Sequence, residues 1–149
     1  GWISTRTVAI GLGVMATLLA LFALLSAREM AQSRVLRAWL AVVVGGFFLT
    51  AVGLYAVTAT QPQVARLAVA GWMLLPAMGL VFTGRFDAAY ARVHALGGFL
   101  AAAGTVAFLA AADIAALAGL TWEAVSTGGT VLVAVGQTAG ILAATLGES

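Results

Sequence analysis

Residues 7–27 read TVAIGLGVMATLLALFALLSA, a run without a charge that is closed at once by Arg28 and Glu29. About 20 apolar residues wound as an α-helix cross a hydrocarbon core about 30 Å thick. Working outward, four further stretches have the same character: residues 38–58, 64–83, 91–112 and 124–146. Their apolar residues run on without alternating, which excludes the short alternating strands of a membrane barrel. The expected fold is therefore an all-α integral membrane protein, one transmembrane helical domain over residues 1–149, built as a compact bundle of about five helices with short loops.

Composition demands the same solvent. The chain is 63% hydrophobic and 8% charged, with a mean hydropathy of +1.11. A soluble domain carries about a quarter charged residues, so lipid must face most of this surface. Cysteine is absent, which excludes disulfides, thiolate metal sites and cysteine nucleophiles. All seven basic residues are arginine; with the abundance of Ala, Gly, Val and Leu this suggests a GC-rich, prokaryotic source and a plasma-membrane location. The arginines are dispersed over short connections, which marks topology and excludes a nucleic-acid partner. The first apolar run lacks a small-residue cleavage site leading into a soluble domain and reads as a retained span, not a signal peptide.

Arginine placement sets orientation. Arg28, Arg34 and Arg37 flank the first connection, and Arg85 and Arg92 the third, against Arg6 and Arg66 on the opposite side. The positive-inside rule puts the first and third connections in the cytoplasm, the N-terminus outside and the C-terminus inside. Aromatic residues agree: Trp39, Phe86 and Tyr90 fall at the inner boundary, and Trp2, Tyr55 and Trp122 at the outer one.

Lipid tails are as apolar as leucine, so small residues must carry helix packing. Gly46 and Gly53, and Gly97 and Gly104, are spaced by seven and share a helix face, while Gly136 to Gly140 spells G-x-x-x-G. Packing within the chain is the expected use, and docking against another subunit the sharper one. Proline stops the second span at Gln61-Pro62, and Pro76 is expected to kink the third.

Few polar residues fall near the spans, and each is a candidate because ionisable groups in lipid are costly. His94 follows the start of the fourth span, with Tyr90 and Gly98 four residues to either side; an imidazole beside glycine could ligate a haem or pigment metal. As a metal ligand it has no second histidine or cysteine to join it, so no metal site and no required cofactor are expected. Asp113 and Glu123 bracket the fourth connection, and Gln137 is the one amide in the middle of a span. Asp113 becomes a semi-buried carboxylate if the fourth helix continues past Ala112 towards Gly119. HExxH, Walker and G-x-S-x-G patterns are absent, so catalysis is not expected. Three functions remain. The leading one is a non-catalytic accessory or structural subunit packed against a larger membrane complex. A small transporter or channel, homo-oligomeric or not, would instead use Pro76, Gln137 and Asp113 or Glu123 along a path between helices or protomers. A pigment- or haem-binding subunit would use His94.

Overall fold

The computed structural model describes residues 4–147, so Trp2 lies outside the described residues. Six α-helices and no strand occur among them: α1 (Thr5–Met30), α2 (Arg34–Thr58), α3 (Pro62–Thr83), α4 (Ala91–Leu109), α5 (Ala111–Ala118) and α6 (Trp122–Gly147). All but α5 are long and apolar enough to cross a membrane.

The ends differ from the sequence expectation for local reasons. Ser4 caps α1 and Ser33 caps α2, each hydroxyl accepting a backbone N–H in the first turn, from Thr7 at 3.1 Å and from Leu36 at 3.0 Å. These caps draw Arg6, Arg34 and Arg37 into helix, α1 itself runs on past Arg28 to Met30, and the first connection shrinks to residues 31–33. Pro62 begins α3 and does not itself end α2; at a first helical position its missing N–H is one that has no intrahelical acceptor anyway. The expected span over 91–112 is interrupted at Ala110, and Asp113 falls in the first turn of a separate short helix, α5.

Two compact units divide the chain inside α3, residues 1–75 and 76–149. The boundary meets Pro76, which donates no hydrogen bond to the turn before it. In the first unit α1 packs on α2, and α2 packs on the first part of α3 through an indole. A side chain at Gly46 would strike the Trp72 ring, 2.7 Å from Cζ2. Trp72 Nε1–H donates to Thr50 Oγ1 at 3.1 Å, and that hydroxyl donates to Gly46 O at 2.8 Å. One turn of α2 thus supplies both the space for the ring and the acceptor for its N–H, which would be costly to bury unpaired. Gly53, on the same face, approaches Ala68 and Leu12.

The second unit is built on a seam of bare backbone. A Cβ at Gly97 would fall on Gly136 O, and one at Gly136 on Gly97 O. Gly104 and Gly129 repeat the arrangement, with Gly104 O 2.6 Å from where a Gly129 Cβ would stand. Only residues without side chains allow α4 and α6 to come this close. Gly140 is filled by Leu80 from the second part of α3. At the other end Ala111 and Ala115 of α5, with Ile114 beside them, pack on Val125 of α6.

Candidate functional site

The second unit holds a buried histidine paired with a partly exposed carboxylate, His94 and Asp87. Past Thr83 the chain unwinds through short turns, with Arg85 N–H donating to Phe82 O at 3.1 Å and Phe86 N–H to Thr83 O at 2.9 Å. Gly84 lets this end of α3 meet the first turn of α4, since a Cβ there would stand 2.9 Å from His94 Cβ and 3.1 Å from Ala91 O. Asp87 then ties the connection to the helix that follows. Its Oδ1 accepts Tyr90 N–H at 3.2 Å, and its Oδ2 lies 3.1 Å from His94 Nε2.

His94 has no exposed surface, while the Asp87 side chain is 26% exposed. A carboxylate oxygen facing the ring accepts, so a hydrogen on Nε2 completes this contact. Nδ1 is buried and has no hydrogen-bond partner among the described residues. Chemically, the pair is an oriented imidazole backed by a carboxylate, with its second ring nitrogen unpartnered among the described residues. Arg85 and Arg92 flank it in sequence.

The remaining candidates fall elsewhere. Asp113 and Glu123 are exposed, each in the first turn of a helix, α5 and α6. Negative charge is favoured there by the helix dipole, and the two are not brought to His94 or to each other by any ion pair among the described residues. Gln137 is half-buried on α6. The space a flat macrocycle would need beside His94, along Gly98, is held by the second part of α3: a Cβ at Gly98 would strike Val81 Cγ2 and come within 3.0 Å of Ala77 O. Among the described residues, no group of three or more His, Asp or Glu side chains could hold a metal ion.

Hydroxyls within the long helices are used locally. Thr50, Thr83, Thr105 and Thr130 each donate to the carbonyl four residues earlier on their own helix, at 2.8–2.9 Å. Such bonds satisfy the hydroxyl within its own helix, without a partner from outside it.

Sequence reasoning missed Asp87. The available signal was its spacing of seven from the lone histidine, across a connection short enough to turn the carboxylate back onto α4. No family model, no curated protein and no solved structure matches the chain.

Proposed function

We propose that this chain is a multi-span protein of a prokaryotic cell membrane, with the α1–α2 and α3–α4 connections on the cytoplasmic side, and that it serves as a non-catalytic subunit of a larger membrane assembly. The observation that carries the reading is α1. It is the most apolar of the five long helices, and none of its residues is buried. Leu24 and Leu25 are 77% and 81% exposed. Nothing lies within 4 Å of where a Cβ would stand on Gly11 or Gly13, whereas Gly46, Gly97, Gly104, Gly136 and Gly140 are all filled by neighbours in their own units. Small residues left open on an apolar helix suit close approach by another membrane helix. The transport reading draws less support, because Asp113 and Glu123 stand at exposed helix starts and the hydroxyls are turned onto their own carbonyls.

The test is isolation from the native membrane in mild detergent, with mass spectrometry and a visible spectrum of the same fraction. A cysteine at Gly13, unique in this chain, would carry a photocrosslinker. Stoichiometric larger subunits crosslinked through α1 are the expected result. A colourless particle of this chain alone would move the reading to a homo-oligomeric transporter, and a coloured one to a pigment or haem protein.

A further inference from the structure

We infer that Arg28, Arg34 and Arg37, gathered at the end of the α1–α2 hairpin, bind the headgroup phosphate of an anionic phospholipid. The inference concerns the first unit. It rests on the membrane reading given above, and not on the subunit role.

The helix ends draw these arginines together. α1 ends at Met30 and α2 begins at Arg34, so the short connection between them holds no arginine. Arg28 stands in the last turn of α1, and Arg34 and Arg37 open α2. Residues three apart on a helix are neighbours on one face. Because α1 and α2 pack on each other, all three arginines share one end of the hairpin.

The bilayer sets their depth. Residues 7–27 of α1 and 38–58 of α2 are uncharged runs of equal length. Each is about 30 Å long as a helix, which matches the hydrocarbon core. Arg28 and Arg37 adjoin these runs at the same end of the hairpin and so reach the phosphate layer together, with Arg34 one turn further out. Trp39 lies just inside the second run, where an indole suits the same boundary.

This end of the hairpin is short of an anion. All three arginines are exposed, and among the described residues none of their side chains makes an ion pair or hydrogen bond. Glu29 is the one acid among residues 28–37 and pairs with none of them. α2 has no acid in its first turn, so Arg34 and Arg37 work against its dipole with nothing to offset them. A phosphate supplies the missing charge, and its oxygens match the paired N–H groups of a guanidinium. A zwitterionic headgroup brings an ammonium of its own, which three arginines repel; the net negative headgroup is the better match. The α3–α4 connection differs, since Asp87 lies between Arg85 and Arg92 and supplies an anion from within the chain.

The test is native mass spectrometry of the full chain in a neutral detergent, which resolves the first lipid bound. Phosphatidylglycerol and phosphatidylcholine with the same acyl chains are titrated separately. The expected result is severalfold tighter binding of phosphatidylglycerol. Arg34→Gln with Arg37→Gln should remove most of that preference, while Arg85→Gln with Arg92→Gln, an equal loss of charge, should keep it. Binding of both lipids without preference overturns the proposal and leaves the membrane reading intact. Equal loss in the two double variants also overturns it, because net charge and not this hairpin would then attract the lipid. Displacement of phosphatidylglycerol by equimolar inorganic phosphate would overturn the lipid assignment in favour of a free anion. A chain that binds neither lipid and stays monodisperse without detergent would overturn the membrane reading as well. If the Arg34 and Arg37 variant fails to fold, Arg28→Gln, on the other helix, must lower the preference by itself.

Discussion

Two helix ends in this chain close with the same hydrogen bond but with different residues. After α5, Gly119 takes a left-handed conformation (φ 66°) and Leu120 N–H reaches back to Ala115 O at 3.0 Å. After α2, Thr60 takes the same conformation (φ 53°) and Gln61 N–H reaches Ala56 O at 2.7 Å. This is the Schellman closure, in which glycine is the usual left-handed residue. A β-branched threonine there is strained, by about 1–2 kcal/mol for a side chain in that region. Thr60→Gly is therefore expected to raise stability by about 1 kcal/mol, read as a shift in the unfolding midpoint in mixed micelles; a loss of stability would show that the threonine hydroxyl, 2.8 Å from Ala59 O, matters more than the strain. The residue scale is also where sequence reading was least complete. His94 was legible as an ionisable group near a span, but its partner was not, because Asp87 lies in a connection whose turns bring it back onto α4. Nothing in composition announces such a return.

Among the helices, the α4–α6 seam makes the sharpest demand. Gly104→Ala would place a methyl group on Gly129 O and 2.9 Å from Val133 N. Backbone cannot rotate out of the way as a side chain can, so the substitution should cost about 1–3 kcal/mol. Gly128, one residue from the seam, has nothing within 4 Å of its Cβ position; Gly128→Ala should be neutral or stabilising by up to about 1 kcal/mol. Unfolding of the two variants in the same micelles checks the contrast, and equal losses would mean that α6 faces a different way. The long helices were legible because an uncharged run of sufficient length has few other uses. Their ends were not, since serine caps at Ser4 and Ser33 wind flanking arginines into helix. The break at Ala110 was not legible either, since alanine favours helix on both sides of it.

Across the whole molecule the arginine asymmetry predicts where each connection lies. Single cysteines at Gln32 and Ala88 should react with an impermeant thiol reagent from the cytoplasmic face of inverted vesicles, and those at Gln61 and Leu120 from the outer face of intact cells. Labelling of Gln32→Cys from outside would invert the topology while leaving the helices as they are. The seam has a further consequence, for biogenesis. Gly97 and Gly104 on α4 find their counterparts only on α6, after α5 and its turn have been made. During synthesis α4 can pack on the second part of α3 through Gly98 at once, but its Gly97 and Gly104 face stays uncovered until α6 follows, so the seam is the last part of the second unit to close. A nascent chain stalled before α6 would present that bare backbone to any neighbouring helix small enough to fit, which makes the interval before the last span the moment when this protein is most open to mispairing.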